Sequence, residues 1–456
     1  MGFSSYQYGI YSISSLSGAH VVLQCSRVVL GLCIDTRKDV RDKLFVALQG
    51  EYSNGHAFIQ TAINKGASAI LADKAHEKMA YRLCKGQNVG LLICTNPLRA
   101  MQRLAHQYVA QFPQVEYIGI TGSVGKSTTK QALSAILATK GNVVSTPGNY
   151  NSEIGLALSL LQVDSCTDYG VFEMGIDHKG EMDSHLSMIQ PSSSIITNIS
   201  YSHASKMGRL KDIAQEKGKI FHEHLDNGYV SSSILYGRLL QKKAPVPLNY
   251  FDKSQLDVSF NGLDGCVLTL HENKVALPLI APYQIEDIAA AIAVARDYGL
   301  HDKDICEGLT NFIPLAGRGT VVGGSITVIE DCYNASPAST EGILGYLGGL
   351  HWTGGKKAVL GSMMELGRYA KNAHRNIGRL LSTLGLDTVF LYGEDMEEAY
   401  RYMYDAKYAG KVYFSDDFSH IQDAVVRDRQ KGNLFLLKGS RAMEMERLVP
   451  VIQGSL

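Results

Sequence analysis

Short apolar runs alternate along this chain with stretches whose apolar residues fall three or four positions apart. Leu44–Leu48 and Ala69–Ala72 read as strands, and Ala57–Lys65 between them reads as a helix closed by Gly66. Asn96-Pro97 interrupts the pattern, and helical spacing resumes over Leu98–Gln111. Val115–Ile120 is a strand. A glycine-rich turn follows it, then a helix over Ser127–Lys140 that stops at Gly141. Val171–Met174 and Ile195–Ile199 are further strands, and Ile285–Tyr298 is a helix ending at Gly299. Beyond the break at Pro314–Gly319, Ile326–Ile329, Ala358–Leu360, Thr388–Leu391 and Leu434–Leu437 repeat the strand pattern with helices between them. Strands that alternate with helices predict parallel sheets covered on both faces. The fold class expected is therefore α/β, with breaks near residues 97 and 316. They divide the chain into a small N-terminal α/β domain (1–97), a central domain with a parallel sheet (98–316) and a C-terminal Rossmann-like domain (317–456).

Composition agrees with three packed domains. The chain has 456 residues, 45% of them hydrophobic and 19% charged, which supplies several cores at roughly 150 residues each and excludes disorder. Its 44 basic and 44 acidic residues cancel, so no large polyanion such as a nucleic acid is expected as a partner. A single nucleotide needs only a local positive site. The eight cysteines form no C-x-x-C pair. They read as free thiols, mostly in apolar surroundings, rather than as a zinc or redox motif. No apolar stretch is long enough to cross a membrane, and the opening Met1-Gly2-Phe3-Ser4-Ser5-Tyr6 has no basic start of a secretory signal. A cytoplasmic protein without stable membrane insertion is expected.

The candidate chemistry begins at the turn after Val115–Ile120. Gly119-Ile120-Thr121-Gly122-Ser123-Val124-Gly125-Lys126-Ser127-Thr128 lies between a strand and a helix. Its glycines let backbone N–H groups turn toward phosphate oxygens. Lys126 can reach the β- and γ-phosphates, the Ser127 hydroxyl can hold Mg²⁺, and the helix points its positive end at the anion. The match is to the shorter form Gly-x-x-Gly-Lys-Ser, since Ile120 stands where the longer pattern has glycine. Such a loop does not by itself separate a switch, a kinase, an ATPase and a ligase. Downstream, Glu173 closes a strand, where a carboxylate faces the crevice of a parallel sheet and suits a magnesium ion. His203 follows the next strand, and Lys217 is one of several lysines on the helical run Lys211–His222.

With these motifs in view, the chain resembles the Mur ligase family over nearly its whole length. Thr121–Ser127 is similar to the family's phosphate loop. Thr146-Pro147-Gly148-Asn149-Tyr150-Asn151-Ser152-Glu153-Ile154-Gly155 is similar to its substrate-contacting loop. Glu173-Met174-Gly175 with Gly180-Glu181, Thr197-Asn198-Ile199, His203 and Ile213-Ala214-x-x-Lys217-Gly218 keep its spacing. In the last third, Gly317-Arg318-Gly319, Asp331-Cys332-Tyr333-Asn334-Ala335-Ser336-Pro337, Val359-Leu360-Gly361 through Glu365-Leu366-Gly367, His374 and Lys438-Gly439-Ser440-Arg441 follow the family pattern. In the first, Asp35-Thr36-Arg37, Phe45–Glu51 and Asn54-Gly55-His56 resemble the UDP-binding module.

The resemblance implies an ADP-forming ligase of cell-wall precursor synthesis. It would join D-alanyl-D-alanine to a UDP-linked muramoyl tripeptide through an acyl-phosphate, using ATP and two Mg²⁺ ions, as a monomer. By the same resemblance Gly122 to Thr128, Arg318, Tyr333 and Asn334 hold the nucleotide. Ser127, Glu173, His203 and a Lys217 carbamylated by CO₂ hold the metal, while Lys126, Lys217 and His203 are catalytic. Thr36, Arg37, Asn149, Asn151, Ser152 and Lys438 bind substrate. Four places depart from the family: Ser205 and Ser362 stand where carboxylates are usual, Tyr283-Gln284 where His-Asn is usual, and Asp287 where Asn is usual. The rival readings are another Mur-type or folate-type amide ligase and a nucleotide-dependent switch.

Overall fold

The computed structural model describes residues 7–50 and 53–454. The N-terminal hexapeptide and Glu51 of the first-domain motif therefore lie outside the described residues. Three large sheets follow one another along the chain. The first has five strands in the order His20–Leu23, Gly90–Cys94, Ala69–Asp73, Leu44–Val46, Leu32–Cys33. All neighbours are parallel except the first pair. The second has six parallel strands in the order Leu248–Phe251, Asn227–Ser231, Ser193–Ile196, Glu116–Thr121, Tyr169–Glu173, Val143–Ser145. The third also has six, in the order Thr320–Val322, Thr327–Glu330, Leu434–Lys438, Lys356–Gly361, Thr388–Tyr392, Lys411–Ser415. Only its first pair is antiparallel.

The parallel strands are apolar on both faces because helices cover both. Leu434–Lys438 is buried at every position, as is Tyr169–Glu173. Ends differ from the periodicity reading by a few residues, for local reasons. Helical structure over 55–64 is a 3₁₀ turn, Gly55–Phe58, capped by the Asn54 side chain, that passes into an α-helix, Ile59–Asn64. The strand expected over Ile195–Ile199 stops at Ile196, because Thr197 and Asn198 turn their side chains onto the phosphate loop. The run from Lys211 is an α-helix over Leu210–Lys217 followed by a 3₁₀ turn, Gly218–Ile220.

A small antiparallel sheet, Asp257–Phe260, Cys266–Leu270 and Asn273–Leu277, packs behind the central sheet and was not foreseen. Among the described residues no helix is long and apolar enough to cross a membrane. Five of the eight cysteines are buried and Cys166 is exposed.

The C-terminal core stacks Phe390 on Tyr413 and on Phe435, with ring centroids 5.2 and 6.3 Å apart. On the other side of that sheet the chain's one tryptophan, Trp352, is half-buried and donates to Gly432 O at 2.8 Å. Phe435 is fully buried, so Phe435→Ala removes both the transfer energy of the ring and its packing. Urea melts are expected to show a loss of about 3–5 kcal/mol in the C-terminal transition. A loss under 1 kcal/mol would mean that the pocket collapses freely around the alanine.

Candidate functional site

The connection that leaves the central strand Glu116–Thr121 runs to Val143–Ser145 on one side of it, and the one that leaves its neighbour Ser193–Ile196 runs to Asn227–Ser231 on the other. A crevice opens at that switch point, beyond the carboxyl ends of the strands. The phosphate loop occupies it, and the helix Lys126–Leu137 starts there. Two of its glycines are required by space as well as by backbone angle. Gly122 has φ 154°, and a Cβ on it would meet Thr197 Oγ1 at 1.9 Å. Gly125 has φ 90°, and a Cβ there would meet Asp287 Oδ1 at 2.0 Å. Asn198 Oδ1 accepts from the N–H groups of Ser123 and Val124 at 3.1 and 2.9 Å, which fixes the loop's curvature.

The reactive groups converge around this loop. Lys126 Nζ donates to Gly122 O at 2.8 Å, and Lys217 Nζ donates to the same oxygen at 3.0 Å from the end of its own helix. Burial lowers the pKa of both amines. That of Lys217 falls well below the ordinary lysine value, because the Lys126 ammonium adds its repulsion. Glu173 is 1% exposed. Ser127 Oγ donates to it at 2.8 Å and Asn151 Nδ2 at 2.7 Å, and Lys130 Nζ stands 3.7 Å away. Burial pushes the Glu173 carboxyl up, but Lys126, Lys130, Asn151 and Ser127 outweigh it and hold the group below the usual carboxylate range.

One side of the cavity is closed by the last third of the chain. Arg318 sits between two left-handed glycines, Gly317 and Gly319. Its Nη2 donates to Ser127 Oγ at 3.0 Å and its guanidinium lies 4.3 Å over the Tyr333 ring. Tyr333 and Asn334 line the same cavity of about 360 Å³, together with residues 123–128, Asn151, Glu173, His203, Asp287 and Glu365. His203 has φ 52° and lies with Nδ1 2.5 Å from Glu365 Oε2.

The six positions expected to bind substrate are not gathered at one point. Asn151 and Ser152 line the cavity, and Ser152 also caps the helix Glu153–Leu160. Lys438 reaches the cavity wall, where its ammonium is held by Asp331 at 2.8 Å and Asn334 O at 3.0 Å. Thr36 is buried and Arg37 is exposed, locked onto Asp35, whose carboxyl that contact lowers to about 2. Asn149 is exposed on the loop before Tyr150. The two groups of residues meet through Lys38, which donates to the Tyr150 hydroxyl and lies 5.1 Å over its ring.

Lys130 was missed by sequence reading. It is fully buried one helical turn after Lys126, and donates to Thr146 O at 2.6 Å and Gly148 O at 2.9 Å. A lysine four positions on from the loop lysine faces the same way, which was the available signal.

Asp287 carries a pH dependence. Burial pushes its carboxyl up to about 7 despite Arg318 and Lys126 nearby. The fold therefore favours the protonated form, while the unfolded chain releases the proton near 3.8. This contribution is present at low pH and is lost as pH rises toward and through 7, with a magnitude on the order of 4 kcal/mol. Asp287→Asn is expected to raise the melting temperature at pH 8 and to change it little at pH 4. Equal shifts at both would remove the carboxyl from the cause.

A phosphate loop at a sheet's switch point, with a buried carboxylate, a neutral-leaning lysine and an arginine arriving from another domain, makes a phosphoryl-transfer site of a multidomain ligase. The chain belongs to the Mur ligase family. The family profile of the Mur ligase middle domain matches residues 120–295, and that of the Mur ligase glutamate ligase domain matches residues 317–441. A relative from Treponema pallidum, named UDP-N-acetylmuramoyl-tripeptide–D-alanyl-D-alanine ligase, is 32% identical over 93% of this chain and 94% of its own. Among solved structures, a MurF ligase from Thermotoga maritima in complex with ADP is 26% identical, with a TM-score of 0.77 over 93% of this chain and 97% of that one. MurF from Acinetobacter baumannii matches the fold with a TM-score of 0.86, at 22% identity, over 98% of this chain and 99% of that one.

Proposed function

We propose that this protein is an ATP-dependent, ADP-forming ligase that adds D-alanyl-D-alanine to UDP-N-acetylmuramoyl-tripeptide. The observation that carries the chemistry is the meeting of Lys126, Lys217, Ser127 and Glu173 at the phosphate loop. The identity of the amine and acceptor rests on likeness over 93% of the chain to a relative of that name. The cuts at residues 97 and 316 are part of the proposal, supported by each large sheet falling within one segment.

The residues fit the groups this reaction needs. Arg318 Nε is buried without a hydrogen-bond partner among the described residues, as suits a guanidinium built to meet an anion. Ser127, Glu173 and His203, with Lys217 as its carbamate, would hold magnesium, a donor set mainly of hard oxygens. Bound there, magnesium supplies charge neutralisation at the phosphates. Lys126 and Arg318 add positive charge on the transferring phosphoryl group, since this transfer depends on positioning and electrostatics. The acceptor carboxylate displaces ADP from the γ-phosphorus to give the acyl-phosphate. The amine of the dipeptide then adds to the carbonyl carbon, loses a proton and expels phosphate. Asn151 and Lys130 hold the 146–152 loop against this centre.

The test is phosphate release from ATP with both substrates present and with each omitted. Release that requires both, with a product heavier by the dipeptide, is expected. Release indifferent to both would favour the nucleotide-switch reading instead.

A further inference from the structure

Two residues with left-handed backbone meet at the wall of the cavity. His203 at φ 52° belongs to the segment after the strand Ser193–Ile196, and Glu365 at φ 65° follows the strand Lys356–Gly361 of the C-terminal sheet. This left-handed conformation is uncommon for non-glycine residues; eight described residues adopt it, and two of them come into contact here. The surroundings here are a tight seam. Ser205 N donates to Glu365 O at 2.9 Å, and a Cβ on Gly367 would lie 3.0 Å from Ser205 Cα. Tyr201 packs on Tyr369 with ring centroids 4.3 Å apart. Within this seam His203 Nδ1 and Glu365 Oε2 are 2.5 Å apart but not yet aligned as a hydrogen bond. Both residues line the nucleotide cavity.

We propose that Glu365 is the positioning residue for His203: brought up by the C-terminal domain, its carboxylate takes the Nδ1–H of the imidazole and turns Nε2 into the cavity. A neutral imidazole has one donor and one acceptor nitrogen, so fixing the proton on Nδ1 frees the Nε2 lone pair. Carboxylates behind metal-binding histidines act in this way, and their loss typically weakens metal binding or activity by about 10–100-fold. The domain that delivers Arg318 to Ser127 thus also completes the opposite wall of the cavity. His203 is ready for its ligand only when the two domains are together.

The inference rests on the ligase reading, and its test separates the two. The first arm needs no substrate. In ligand-free protein labelled with ¹⁵N-histidine, and assigned with His203→Gln, His203 is expected to show the Nδ1–H tautomer. Glu365→Ala is expected to move it toward Nε2–H, while the same tautomer in both proteins overturns the proposal. The second arm is kinetic. Glu365→Ala is expected to lower kcat about 10–100-fold and to raise the Mg²⁺ concentration for half-maximal rate, with the KM of the UDP-linked substrate unchanged. Glu365→Gln, which keeps an acceptor oxygen, is expected to recover part of the loss. The double variant with His203→Ala should be no slower than His203→Ala alone. Additive losses, or a Mg²⁺ dependence within twofold of wild type, overturn the proposal. Wild-type protein without ligation would instead fault the function, and the tautomer arm would still decide the contact.

Discussion

Lys126→Met is expected to lower kcat about a thousandfold, in line with the loss of a cation that stabilises a transferring phosphoryl group. The ammonium now rests on Gly122 O at 2.8 Å, close enough to swing onto phosphates that enter the loop. Methionine keeps the apolar stem and so keeps the packing. Folding should change little, because the variant removes a positive charge that crowds Lys217 on the same carbonyl but also one that steadies the buried Glu173 carboxylate. The measurement pairs phosphate release at saturating substrates with a thermal melt. A melting temperature close to wild type together with the kinetic loss is the expected result. Activity within tenfold of wild type would remove Lys126 from the transfer step.

The second large effect concerns Lys217. It is 2% exposed, and burial and the neighbouring ammonium both favour its neutral amine. Only that form attacks CO₂. In the proposed modification the nitrogen lone pair would bond to carbon and the amine proton would leave, so that an anionic carbamate would stand in place of the amine. Two ammonium groups on one backbone oxygen repel each other, whereas an ammonium and a carbamate attract. Lys217→Met is therefore expected to cost about a hundredfold or more in kcat, as for other groups that supply metal charge. Removing CO₂ from the buffers should slow the wild-type enzyme and bicarbonate should restore it. Protein equilibrated with ¹³C-bicarbonate should give a carbamate carbon resonance that the variant lacks. If the resonance is absent and degassing has no effect, Lys217 works as a cation, and the metal must rely on Ser127, Glu173 and His203.

The α/β class and the phosphate loop were legible because each follows from local rules. Apolar runs as buried as Leu434–Lys438 leave no solvent face, and a glycine-rich turn between strand and helix has few other uses. What escaped depends on distance in sequence. Lys130 acquires meaning only when the fold brings Thr146, Gly148 and Glu173 around it. Glu365 lies 162 positions from His203, and periodicity carries no trace of their contact. The antiparallel strands Asp257–Phe260, Cys266–Leu270 and Asn273–Leu277 alternate in burial residue by residue, and a count of alternating polar and apolar positions over 257–277 was the available signal. Arg37, expected to bind substrate, is exposed and paired with Asp35. The N-terminal segment is joined to the neighbourhood of the phosphate loop through Lys38 and Tyr150.

The lone indole of Trp352 gives the molecule a built-in optical reporter. Half-buried, it packs against the C-terminal core with its N–H bonded to Gly432 O, far in sequence from the phosphate loop. Emission excited near the red edge of the protein spectrum therefore comes from one side chain in one domain. A denaturation curve followed by that emission records the C-terminal unit alone, while circular dichroism records all three sheets together. Any gap between the two curves measures how loosely the C-terminal unit is coupled to the rest, without a label or a substitution.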